Sequence, residues 1–581
     1  MVERSATWTS RARWGLLGAA AIVLIGHSLA YNFVTDDAYI SFVFARNLAE
    51  HGQLAFNLGQ PVEGYTSFLW TFVLGIGMLA GIAPEASSRV LGTACALATL
   101  YLVFRIIERA LGRKTAWAGV PPILLACSSG FACWTSGGLE TQLYTLLVTA
   151  ALDALVAAAA TPRALRRLGV VLALASMTRP EGPMVAAVFG VVWGAIAVIW
   201  RTPAGQPGRA WLGHAAIAVA WFVALWAPWF AWRWWYYGWP FPNTYYVKAT
   251  GPWADGELPH QMLRNGVYYV WVWLRQTGLL YVLPLVIAGH IAARPRSPRF
   301  VLTTTCGVFA LVYLGYAISV GGDFMGLHRF IMPVFVVAAL AVTLGAEWIS
   351  RAIARLGGRV GLAPRATALG VALAAALIVA FAVGQLALTT RSLSRSNLAS
   401  DRGIDTPAFL IAYTEDRAAI GRATASCFRP DDFSIVGGAG AQPYFGRMRG
   451  VDVFGLVSEA IAHDEPRVRA RRPHQVRLRS RARGLRSHVR VQLLRDPRPA
   501  GPAQAAVRRV LAGARLRAGD AAHPRDARAR RVLHVPGQDL AQLSVPGPRA
   551  LTLAWPGRRD RGPRAGSGGA RVTRGSDRPR S

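Results

Sequence analysis

Two adjacent carboxylates, Asp36 and Asp37, stand in "YNFVTDDAYISF" (31–42), directly after the first long apolar stretch of the chain. Asp is a favoured N-cap, and capping accounts for one of the two. The second is left over. Paired carboxylates where a helix meets a membrane surface can supply a general base for an acceptor hydroxyl and a group that orients it. Asp37 and Asp36 are therefore the candidate catalytic residues.

Four further motifs carry candidate substrate-binding groups. "GQPVEGYTSFLW" (59–70) sets Glu63 and Tyr65 just before another apolar block. "WTSGGLETQ" (134–142) sets Glu140 after a Gly-Gly turn, in a first helical turn where the dipole favours a carboxylate; capping and turn chemistry explain it as well. "SMTRPEGPM" (176–184) breaks an apolar stretch with Arg179 and Glu181, which either pair at a surface or serve a site, because polar groups at membrane depth are costly. "VGGDFMGLHRF" (320–330) adds Asp323, His328 and Arg329: His and Arg as phosphate ligands, Asp as a second acid. A lone loop His is commonly incidental.

"YYGWPFPNTYYVKATG" (236–251) holds Asn243, Tyr246 and Lys248. Lys248 is one of two lysines against 62 arginines, which suggests that a compact ammonium is wanted here. Among Trp235, Tyr236, Tyr237, Trp239, Phe241, Tyr245 and Tyr246 it suits a lipid-linked phosphate at headgroup level, or a snorkelling position.

The elements that must position these groups are membrane helices. Of 581 residues 53% are hydrophobic and 16% charged, and the apolar ones fall in blocks near 14–33, 65–83, 88–107, 116–131, 139–160, 168–178, 183–200, 211–232, 278–293, 300–319, 330–346 and 366–388. Blocks of about 20 residues read as spans. With no small-residue cleavage site after it, the first reads as a retained helix. If 65–83, with its three glycines, is re-entrant or juxtamembrane, eleven spans remain and every basic cluster becomes cytoplasmic, including Arg105/Arg109/Arg113/Lys114 and Arg351/Arg355/Arg359/Arg365. All six motifs then share the outer face. The expected architecture is mostly α: a polytopic bundle over 1–388, a partial extracytoplasmic domain over 389–465, and a tail over 466–581.

The formal net charge of +34 excludes little by itself, because the tail holds 29 Arg and 6 Asp. That tail lacks Lys, Glu, Ile, Phe, Tyr, Asn, Met and Cys. A GC-rich gene read in a shifted frame gives such a composition; a disordered linker or an arm for nucleic acid or anionic lipid are the alternatives. The cysteines Cys95, Cys127, Cys133, Cys306 and Cys427 show no metal-binding spacing. The outer loops lack a dense carboxylate cage, so metal-independent chemistry is expected.

In order, "DDAYISF", "ARNLAEHGQLAFN", "PVEGYTSFLW", "SGGLET", "TRPEG", "PNTYYVK", "GGDF" with "HRFIMPV", and "GAQPYFGRMRGVDVFGLVSEAIAH" resemble the polytopic glycosyltransferases of the GT-C fold over about residues 14–463. Within that fold the motifs resemble those of enzymes like the mycobacterial terminal arabinofuranosyltransferase. The resemblance implies transfer of a sugar, with arabinofuranose as one option, from a polyprenyl-phosphate donor to a glycan or lipid acceptor outside the plasma membrane, with no cofactor and no nucleic-acid partner. It maps an essential first-loop Asp onto Asp36 or Asp37. Lys248 and Arg179 or Arg329 would then meet the phosphate, and Glu63 and Glu140 the sugar hydroxyls. The outer domain departs from the family by stopping near Asp464. A transporter or a non-catalytic lipid-linked-sugar binder are the rival readings. The ionisable residues collect at one face rather than the midplane, which weighs against a transporter.

Overall fold

The computed structural model describes residues 2–200, 208–247, 258–295, 297–359, 363–396, 398 and 401–463. Lys248 and the tail lie outside the described residues.

The apolar blocks fold as helices that run between two ends of one bundle. Helix α1 (Val2–Tyr31) makes the first pass. The chain then stays at that end for α2 (Asp36–His51) and α3 (Phe68–Leu79). Helix α3 is only 12 residues long, lies against α2 through Gly75 and Leu48, and turns back at Gly81 (φ 76°). The block expected to be re-entrant or juxtamembrane contains this helix.

Helix α4 (Pro84–Leu111) returns, and the next pass is broken into α5 (Val120–Cys127) and α6 (Ser129–Ser136), bent by 65°. Passes α7 (Thr141–Ala158), α8 (Leu165–Thr178), α9 (Gly182–Trp200) and α10 (Gly208–Tyr237) follow. After the short turn α11 (Asn243–Tyr245), a second broken pass joins α12 (Leu258–Gln276) to α13 (Leu279–Ile291). Its 84° bend falls at Gly278, whose φ of 66° suits glycine. Helices α14 (Pro298–Ser319), α15 (Met332–Arg359) and α16 (Ala363–Leu393) complete the bundle. Seven helices are long and apolar enough to cross a membrane unbroken, nine if each bent pair counts once; α8 and α9 are the short passes.

Charge separates the two ends. At one, Glu347 is fully buried and accepts bonds from Arg113 (3.2 Å), Arg299 (3.2 Å) and Arg351 (2.6 Å), while Arg13 pairs with Glu108 and Arg109 with Asp153. We call this the arginine end. The opposite end gathers the connectors 32–35, 137–140, 179–181, 238–242 and 320–331, together with a small unit from residue 401 onward. That unit holds α17 (Pro407–Ala425), strands β1 (Phe433–Val436) and β2 (Arg449–Asp452) paired in parallel with Val436 opposite Asp452, α18 (Ala441–Gly446) and α19 (Glu459–Ala462). Val436, Ala439 and Val457 pack on Ile40, Val43 and Phe44 of α2, so the unit is seated on the helix that begins with the two aspartates.

Helices touch where side chains are small, since lipid gives no hydrophobic drive between them. A Cβ on Gly169 would fall 1.9 Å from the carbonyl oxygen of Ala218, so only glycine lets α8 and α10 meet there. Gly169→Leu is expected to destabilise the bundle by about 1–3 kcal/mol through overpacking. Gly213→Leu, where a Cβ meets nothing within 4 Å, is the neutral control. Unfolding of both variants in detergent checks this.

Candidate active site at the carboxylate end

Each connector at this end is pinned by bonds to another. The backbone N–H of Thr35 donates to Gly137 (3.2 Å), Trp70 Nε1–H to the Gly138 carbonyl (3.1 Å), and Trp134 Nε1–H to the Gly326 carbonyl (3.0 Å). Gly138 adopts φ 84°, the tight turn that the double glycine predicts. These bonds, with those of Arg179, bring four of the six sequence motifs into one electrostatic network.

Arg179 is its centre. Its Nη1 donates to Glu140 (2.8 Å), while Nε and Nη2 donate to Glu181 (3.0 and 3.3 Å). The guanidinium also lies 5.6 Å from the Tyr144 ring and 5.3 Å from Phe330. All three charged groups are buried. Arg179 is thus fully engaged by its own neighbours. The Glu140 side chain accepts through Oε1 and makes no other hydrogen bond among the described residues.

Arg329 is engaged differently. Its Nε donates to Asp323 (3.0 Å) and its guanidinium lies 5.7 Å from the Trp134 ring. Among the described residues this is its one side-chain hydrogen bond, so both Nη groups keep donors for a ligand. The charges of Glu140 and Asp37 both act on it. Asp37 and Arg329 keep some exposure (13% for the Arg329 side chain), whereas the side chains of Asp36, Glu140, Arg179, Glu181 and Asp323 are buried. The accessible part of the site therefore holds one carboxylate at the start of α2 and one arginine with free donors. His328, beside it, is buried with Nε2 against the Tyr269 carbonyl (3.2 Å), and burial pushes it down to about 3. It packs the loop as a neutral ring.

The two adjacent aspartates have separate surroundings. Asp36 Oδ1 accepts the Ala441 N–H (2.8 Å), with Gly440, Tyr413 and Arg417 close by. A Cβ on Gly440 would sit 1.9 Å from the Asp36 carbonyl oxygen, so glycine is required for this approach. Asp36 anchors the small unit to the bundle. Asp37 does not share that burial.

Glu63, Tyr65, Asn243 and Tyr246 form a second group. Glu63 takes both Nε (3.0 Å) and Nη2 of Arg233, whose Nη1 donates to the Pro240 carbonyl (2.7 Å). The Tyr65 and Tyr237 hydroxyls are 3.0 Å apart, and Tyr237 donates to the Leu54 carbonyl (2.8 Å). Asn243 donates its side-chain amide to the carbonyls of Gly455 (2.5 Å) and Leu456 (3.1 Å). Tyr246 meets Trp239 edge-on and lies tilted against His463. These residues tie α10 and the loop after it to the small unit. The sequence reading missed Arg233, Tyr413 and Arg417. For Arg233 a signal existed: a single Arg in the aromatic run "FAWRWWYY", where an unpaired charge is costly.

Among the described residues no group of three or more His, Cys, Asp or Glu side chains is arranged to hold a metal ion.

No protein-family model and no curated protein matches the chain. Among solved structures it is similar to ArnT from Cupriavidus metallidurans bound to undecaprenyl phosphate, with a TM-score of 0.48 and 14% identity over 75% of this chain and 85% of that one. The same protein in its apo state gives a TM-score of 0.47 and 13% identity, over 77% and 86%. The likeness to arabinofuranosyltransferases read from the motifs has no counterpart in these comparisons.

Burial first, and the neighbouring Asp37 charge second, push Asp36 up to about 7. An acid held more tightly in the folded chain contributes stability that is complete below its ordinary range and is lost as pH rises through the folded value. The thermal midpoint of the protein in detergent is therefore expected to fall between about pH 5 and about pH 8. Asp36→Asn should flatten that slope, and an unchanged slope would contradict the assignment.

Proposed function

We propose that the chain is a membrane glycosyltransferase that moves a sugar from a polyprenyl-phosphate donor to a hydroxyl of a glycan or lipid acceptor, at the outer face of the plasma membrane. The observation that carries this reading is that Asp37, at the start of α2, acts electrostatically on Arg329, whose Nη donors have no protein partner among the described residues. A base and an anion-stabilising cation within electrostatic reach of each other are what phosphate displacement by a hydroxyl requires. The ordered motifs resembling the GT-C enzymes support the same reading, and they make arabinofuranose the first donor sugar to try.

In this mechanism Asp37 takes the proton of the acceptor hydroxyl as its oxygen bonds the anomeric carbon. The bond from that carbon to the phosphate oxygen breaks, and the electron pair leaves on the polyprenyl phosphate. Arg329 neutralises the charge that develops there. Asp323 holds Arg329 by its Nε, and the Arg179–Glu181 pair fixes Glu140, whose second oxygen is left for a sugar hydroxyl. Glu63 is occupied by Arg233 and acts by positioning. Lys248 keeps its proposed place beside the phosphate.

The test is sugar transfer by the purified protein in lipid, with a panel of polyprenyl-phosphate sugars that includes arabinofuranose. Asp37→Asn is expected to lower turnover by about 10²–10⁴ while leaving the thermal midpoint near that of the parent. A chelator should leave transfer intact. Full turnover by a folded Asp37→Asn protein would refute the mechanism.

A further inference from the structure

The arginine end carries an open groove of about 340 Å³, lined by Arg105, Glu108, Arg109, Arg113 and Lys114. We propose that this groove binds the phosphate headgroup of an anionic phospholipid. The site lies on the opposite end of the bundle from the carboxylate network and does not depend on the function proposed above.

Three features of the groove support it. First, its walls are fixed. Arg113 is drawn to the buried Glu347, which also holds Arg299 and Arg351; Arg109 is held by Asp153 and Glu108 by Arg13. Second, its charge is uncompensated. Across these connected pairs and the groove lining, seven basic side chains meet three carboxylates, and neither Arg105 nor Lys114 has a carboxylate partner among the described residues. Arg13, buried behind Glu108, keeps an Nε donor with no protein partner.

Third, the groove opens beside surface made for lipid. Trp14 (47% exposed) stacks on Phe104 under the Arg13 guanidinium, and Tyr101 (42% exposed) lies 5.7 Å from that of Arg105. Exposed Trp and Tyr at headgroup level flanked by arginines form an interfacial anchor. Setting the topology needs positive charge anywhere on these connectors. It does not need charges converging on one groove. Basic pockets between helices at the cytoplasmic face suit the headgroups of anionic lipids.

The full chain in detergent would be titrated with phosphatidylglycerol, phosphatidylcholine or inorganic phosphate, following bound lipid by native mass spectrometry and the thermal midpoint in parallel. Phosphatidylglycerol should bind and raise the midpoint, and phosphatidylcholine should do neither. The double variant Arg105→Ser/Lys114→Ser should weaken phosphatidylglycerol binding roughly 20- to 30-fold, at about fivefold per basic group. Arg163→Ser/Arg166→Ser removes the same charge from exposed positions at the same end outside the groove, and should weaken binding far less. Equal losses in the two double variants would overturn the site. Protection by inorganic phosphate alone, at concentrations where it displaces the lipid, would give the groove to a soluble phosphate and overturn the lipid assignment.

Discussion

A buried guanidinium needs its carboxylates, and the organisation of the carboxylate end follows from Arg179. Taking one member from a buried pair costs about 3–5 kcal/mol, because the other charge is stranded. Arg179 spends three donor groups on Glu140 and Glu181, which stand at the starts of α7 and α9. Its face also stacks near Phe330. One side chain therefore fixes the distance between three connectors, and the loop carrying Asp323 and Arg329 is set against them. With Arg179 consumed in this way, Arg329 is the arginine of this network whose Nη donors have no protein partner among the described residues.

The same logic divides the two aspartates. Adjacent residues at the start of a helix point about 100° apart, so they enter different surroundings. Asp36 is buried against the Gly440–Ala441 backbone and secures the small unit. Asp37 stays partly open beside Arg329. The unit that Asp36 holds is also gripped by Asn243 and by the apolar contacts of α2, so its seat is built from bundle residues far apart in the chain.

Much of this was legible in the sequence. The apolar blocks are helices, seven of them long and apolar enough to cross a membrane and nine counting each bent pair once, and the short block at 65–83 is the 12-residue α3. The motifs at 36–37, 140, 179–181 and 323–329 were singled out because charges among apolar residues need a reason, and they converge. What sequence could not give were partners. Glu63 meets Arg233 across 170 positions and Asp36 meets Ala441 across 405, and neither spacing leaves a local signature. Nor does periodicity show that Arg179 is saturated while Arg329 is not, because that depends on how many carboxylates the fold brings to each. The bends at Ser128 and Gly278 escaped for a related reason: apolar blocks report length, not direction.

The central claim is that Arg329 meets the lipid phosphate with Asp37 beside it. The most direct measurement is the affinity of polyprenyl phosphate, the product of the proposed reaction, for the parent protein, Arg329→Gln and Asp37→Asn in lipid. Loss of charge-assisted bonds should weaken binding by about tenfold or more in Arg329→Gln. Removing a negative charge near the phosphate should leave binding unchanged or tighter in Asp37→Asn, although that variant no longer turns over. Undiminished binding by Arg329→Gln, or weakened binding by Asp37→Asn, would contradict the arrangement.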